Sequence, residues 1–108
     1  MIMDIDFDTA LHIGRNFVKE NVEPGIGQPA VVTAVMEYPT CWVVGFQTKA
    51  YWETRVVRHA LAGGGPLIID KATGELTLAA SAIPLGDQIP GEEISSVLVA
   101  PPPLGGDE

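Results

Sequence analysis

Cysteine is nearly absent from this sequence: Cys41 stands alone among 108 residues. A single thiol closes no intrachain disulfide, and with two histidines beside it there is no cysteine-rich metal site to build. Basic residues are scarce as well. Six Lys and Arg stand against fourteen Asp and Glu, a formal net charge of -8. Duplex nucleic acid is held largely through Lys and Arg, so this chain is expected to be repelled from it, as from anionic membrane surfaces. A basic protein surface is what such a charge attracts over distance; the plain alternative is that the charge serves solubility alone. Long apolar runs are missing too. Ala30 to Met36 and Cys41 to Phe46 are broken by Thr33 or Gly45, whereas a spanning helix needs roughly 20 apolar residues. The mean hydropathy of +0.23 therefore points to a core. Met1 to Asp8 carries three acids and no base, the reverse of a secretory leader, and a cytoplasmic location is the expectation.

What is present suits one α+β domain. Phe7, Ala10, Leu11, Gly14 and Val18 recur at helical spacing from Asp6 to about Glu20, with Asp4 and Asp6 as cap candidates. Gly14 sits mid-stripe, where it costs about 1 kcal/mol of helix propensity; a close approach of helix to sheet would justify that cost. Pro24 to Pro29 reads as a loop. Ala30 to Tyr38 and Cys41 to Gln47 read as a hairpin, the second strand alternating Trp42, Val44 and Phe46 onto one face. Tyr51 to Ala62 fits a short helix or an irregular crossing. Pro66 to Asp70 and Glu75 to Ala80 form a second hairpin around Asp70-Lys71-Ala72-Thr73-Gly74, with Gly74 left-handed.

The expected architecture is an N-terminal helix on a mostly antiparallel sheet of about four strands. Phe7, Leu11, Val18, Trp42, Val44, Ile68, Leu76 and Leu78 would be buried together. Residues 1–84 form the domain, and residues 85–108 a Pro/Gly-rich, partly flexible extension, since five of the nine prolines lie from Pro84 onward. Within that extension, Ile94 to Val99 could add an edge strand, and an unpaired sheet edge offers a route to a homodimer.

Catalytic signals are weak. Gly63-Gly64-Gly65-Pro66 lacks the Lys-Ser/Thr of a phosphate loop and leads into a strand where a phosphate loop leads into a helix. It reads as a turn. His12 and His59 have no spaced acid or cysteine to complete a metal site. Cys41 beside Trp42 reads as a buried, unreactive thiol, and the serines lack a nucleophile-elbow context. Neither an enzyme nor a cofactor is expected. Tyr51-Trp52-Glu53-Thr54-Arg55 stands apart, because aromatics and Arg are enriched at protein interfaces. It closes one end of the core or offers a contact surface.

From Ala60-Leu61-Ala62-Gly63-Gly64-Gly65-Pro66 through Leu67-Ile68-Ile69-Asp70-Lys71-Ala72-Thr73-Gly74-Glu75, the chain resembles the immunity protein 35 family, also called the YrhB-like domain. That family carries an Ala-Gly-x-x-Pro turn, an apolar strand and an Asp-Lys/Arg-x-x-Gly hairpin at this spacing. Trp42 to Phe46 and Tyr51-Trp52-Glu53-Thr54 stand where it has an aromatic strand and a Tyr/Phe-x-Glu-Thr element. The resemblance covers about Asp6 to Pro84. Gly64 replaces a usual polar residue, and Gly91-Glu92-Glu93-Ile94 with a Pro-rich tail replaces an acidic, aromatic C-terminal helix. The resemblance implies a bacterial immunity protein that binds and neutralises a cognate polymorphic toxin, and the net charge of -8 suits a toxin with a basic surface. Its docking residues would be Tyr51, Trp52, Glu53, Arg55 and Asp70, with Trp42, Gly63, Gly65, Pro66 and Gly74 structural. A small holdase or an accessory binding module is the alternative.

Overall fold

A computed structural model describes residues 4–54, 66–79 and 85–99. The chain opens with helix α1 (Phe7–Phe17), a π-helical turn (Val18–Val22) and a short helix α2 (Glu23–Ile26). Asp6 caps α1: its Oδ1 accepts the Thr9 N–H at 2.9 Å, and these bonds to Thr9 hold the carboxyl below its usual range. The segment from Pro24, expected to be loop, begins inside α2. A proline in the first turn removes an N–H that has no helical partner there, so it costs nothing. Gly27 ends α2 in the left-handed region at φ 70, with its N–H on the Glu23 carbonyl.

Among the described residues five antiparallel strands follow, one more than expected. They are β1 (Ala30–Glu37), β2 (Cys41–Thr48), β3 (Leu67–Asp70), β4 (Leu76–Leu78) and β5 (Ser95–Leu98), in the order β4-β3-β2-β1-β5. Helix α3 (Lys49–Thr54) continues directly from β2, and helix α4 (Leu85–Gln88) precedes β5. The fifth strand is the faint Ile94-to-Val99 signal, paired with β1 from Ala34↔Leu98 to Glu37↔Ser95.

Pairing of β1 with β2 slips by one residue between Val32 and Ala34, leaving Thr33 as a bulge. Without it, Val32 and Val35, three apart, would point to opposite faces. With it, both are buried in the cluster beneath α1. Gly45 stands opposite, and a Cβ there would lie 3.1 Å from the Thr33 hydroxyl.

The core beneath α1 joins Ala10 and Val18 to Val32, Val35, Trp42, Val44, Leu67 and Ile69, with Phe7, Leu11 and Phe46 packed around it. Three residues expected there behave differently. Ile68 pairs with Val43 and lies on the far face, in a second cluster with Tyr38, Cys41 and Ile89. Leu76 and Leu78 pair with Ile69 and Leu67, so they share the helix face, yet they are 41% and 53% exposed. The reason is reach: α1 lies over β1 and β2 and stops short of the β4 edge.

Gly14 is where helix meets sheet. A Cβ on it would lie 2.7 Å from a Val44 methyl, which accounts for a glycine in the middle of an apolar stripe. Gly14→Ala is expected to destabilise the fold by about 1 kcal/mol or more, overpacking outweighing the gain in helix propensity. In a Val44→Ala background the same change should become neutral or stabilising. Urea unfolding of the four proteins of this cycle reads the sign reversal.

Candidate functional site

Trp42 is 6% exposed and is held from three sides. Its indole N–H donates to the Ile5 carbonyl at 2.7 Å. Phe7 meets it edge-on at 6.1 Å, and the Lys71 ammonium sits 5.3 Å from the ring centroid. Lys71 pairs with Glu37 at 2.7 Å. Its carbonyl accepts the Ile5 N–H, and its own N–H donates to the Thr40 carbonyl. The entry to α1, the β1–β2 turn and the β3–β4 turn are thereby tied at one end of the sheet.

Asp70 organises the last of these turns. Its Oδ1 accepts the N–H groups of Thr73 and Ala72, each at 2.9 Å, and these bonds hold the carboxyl below its usual range. Gly74, at φ 77, donates its N–H to the Asp70 carbonyl at 2.8 Å. At the open end of the same hairpin the Pro66 carbonyl accepts the Ala79 N–H.

On the face away from α1, this turn borders a slot of about 160 Å³. Cys41, Ile68 and Ile89 supply its apolar wall, Asp70 and Glu75 its charge, and Thr40, Thr77, Gln88 and Pro90 complete it. The wall carrying Ile89 and Pro90 is fixed by Gly91, at φ 84, where a Cβ would lie 2.6 Å from Pro39. Glu93 extends the negative charge toward Tyr38. Burial first and then that charge push the Tyr38 phenol up. Burial also pushes the Cys41 thiol up, so it stays protonated at neutral pH and is a poor nucleophile. His12, exposed and 3.1 Å from the Asn16 amide, lies on α1 with the sheet between it and Cys41. No three of His, Cys, Asp and Glu converge as metal ligands among the described residues.

The expected docking residues that the structure describes lie on two elements. Tyr51, Trp52 and Glu53 lie on α3, whose start is held by the Tyr51 N–H on the Thr48 hydroxyl at 3.0 Å. Tyr51 and Trp52 are half-buried, and Glu53 is exposed 3.7 Å from Lys49. Asp70 pairs with Cys41, at the start of the strand that α3 ends. The length of β2 from Cys41 to Thr48, about 23 Å of extended chain, lies between those two positions along the strand. Arg55, His59, Gly63 and Gly65 lie outside the described residues. Glu75 follows Asp70 around the hairpin, its carbonyl accepting the Asp70 N–H at 3.0 Å. Gln88 and Pro90 carry no signal in the sequence because nothing local links them to Asp70, and only the fold brings them to it.

Fold and slot together define a small α+β domain with an acidic recess on the face away from α1. The chain belongs to the immunity protein 35 family, whose model matches residues 8–103, past Pro84, where the resemblance read from the sequence ends. It is 33% identical over 66 residues to the uncharacterized protein YrhB of Escherichia coli (strain K12), an alignment covering 61% of this chain and 70% of that one. No solved structure matches it. No helix among the described residues is long and apolar enough to cross a membrane.

The Asp70 bonds carry a pH signature. A carboxyl whose folded pKa is depressed contributes order above its unfolded value and loses it as pH falls through the folded one. Amide-exchange protection of Ala72 and Thr73 should therefore drop in acid, below the usual carboxylate range. In Asp70→Asn, whose amide oxygen can accept the same bonds without titrating, that step should vanish while the turn persists.

Proposed function

We propose that this protein is a bacterial immunity protein, cytoplasmic and without chemistry of its own, that neutralises a cognate polymorphic toxin by direct contact. Family membership carries this reading, and the acidic recess supports it. A recess with two carboxylates at its rim and an apolar wall suits a Lys or Arg side chain, whose stem is apolar and whose head is charged. We assign the first contact with a basic toxin surface to Asp70, Glu75 and Glu93, with Tyr51 and Trp52 forming a separate aromatic contact at the far end of the sheet.

Co-expression with the neighbouring gene product tests this. The chain should co-purify with that protein and restore growth to cells poisoned by it; absence of both ends the immunity reading. Glu75→Lys, at an exposed position, should fold normally and weaken binding about tenfold or more, a loss of roughly 1.4 kcal/mol. Raising salt should slow association with a basic partner, because exposed charges are screened beyond about 10 Å at 0.1 M. A salt-independent on-rate would leave the charge of -8 as a solubility device.

One observation favours a holdase instead. Leu76 and Leu78 are bared on an edge strand, a place where extended apolar chains can pair. A holdase suppresses aggregation of unrelated proteins at about micromolar levels, whereas an immunity protein binds one partner tightly and stoichiometrically.

A further inference from the structure

On the other side of the molecule a groove of about 420 Å³ runs between the end of α1 with its π-helical turn and the first half of β1. Val18, Val32 and Val99 supply its apolar lining, and Arg15, Lys19 and Glu23 its charge. Three observations bear on what it holds. The first is charge. Lys49 is paired with Glu53 and Lys71 with Glu37. Arg15 and Lys19 have no acidic partner among the described residues, and Glu23 is turned to the backbone, its Oε2 accepting the Ala30 N–H at 3.0 Å. Two such cations one helical turn apart thus converge on one groove of a strongly acidic protein.

The second is the sheet edge. Strand β5 covers β1 from Ala34 to Glu37, with one further bond from the Val99 N–H to the Thr33 carbonyl. The Lys49 N–H on the Pro29 carbonyl sets the alternation of β1 with β2, which turns the Ala30 carbonyl and the Val32 N–H away from β2 and toward the groove. No described strand covers them. The third is the wall. A π-helical turn is rare and recurs at functional positions, and here Val18 and Lys19 project from one into the groove.

We propose that this groove receives an extended, acidic segment of a partner protein, added as a strand against Ala30–Val32 with its carboxylates on Arg15 and Lys19. Main-chain bonds to the open edge hold the segment, and the two cations select its charge. The surface is separate from the acidic recess and does not rest on the immunity reading.

The test uses the full chain, isotopically labelled, and a capped Val-Glu-Val-Glu-Val peptide as probe. Amide signals of Ala30, Val31, Val32 and Val99 should shift on titration. The exposed pair Arg15→Glu and Lys19→Glu should weaken binding at least tenfold and transfer the preference to the lysine counterpart, Val-Lys-Val-Lys-Val. N-methylation of the peptide backbone should abolish binding. The proposal is overturned if no signal moves at millimolar peptide, or if the lysine peptide binds the unaltered chain equally well. Undiminished binding of the N-methylated peptide removes strand addition, and octanoate binding as tightly as the peptide assigns the groove to a small amphiphile.

Discussion

The close approach of α1 to β2 is the constraint on which the rest of the molecule depends. With a Val44 methyl filling the place of a Gly14 side chain, the helix lies low enough for Phe7, Leu11 and Val18 to reach the sheet. Trp42 then becomes the floor under the start of the helix, its indole N–H tied to the chain just before the cap. A larger residue at position 14 would lift the helix, and the contacts at Trp42 and Lys71 would loosen with it. In a chain of 108 residues there is little other core to compensate.

Lys71 shows how a charge is kept in such a place. It is 9% exposed, and its ammonium finds a carboxylate on one side and an aromatic face nearby. A buried ion pair of this kind is weak evidence for stability, since desolvation offsets much of the attraction. Its geometric effect is clearer. The same residue joins three chain segments through its two backbone bonds, which holds the acidic turn beside it in place. The recess on the far face thus has a rigid border, although none of its lining residues belongs to the helix-side core.

Much of this is readable from residue order. The cap at Asp6, the glycine demanded by a low helix, the Trp42-Val44-Phe46 alternation and the Asp70-to-Gly74 turn are local signals, and each appears in the structure where its chemistry requires. What escapes depends on distance through space. Ile68 lies on the face opposite the expected one because an unbroken apolar strand carries no alternation to say which face is which. Leu76 and Leu78 have the right parity, but their exposure depends on how far α1 extends sideways, which no local pattern encodes. The recess joins the Asp70–Glu75 hairpin to Thr40 and Gln88 from separate segments, and the Arg15–Lys19 groove depends on where β5 stops.

The bulge at Thr33 reaches beyond this one molecule. It lets two core valines sit three positions apart in a strand, a spacing that ordinarily belongs to helices. A relative lacking the additional residue would have to space the same two side chains by two, or else turn one of them to the opposite side. Hydrophobic spacing in this segment of a family member's sequence therefore reports whether its sheet is kinked beside the groove. Residue order alone thus sorts relatives by the shape of their sheet border.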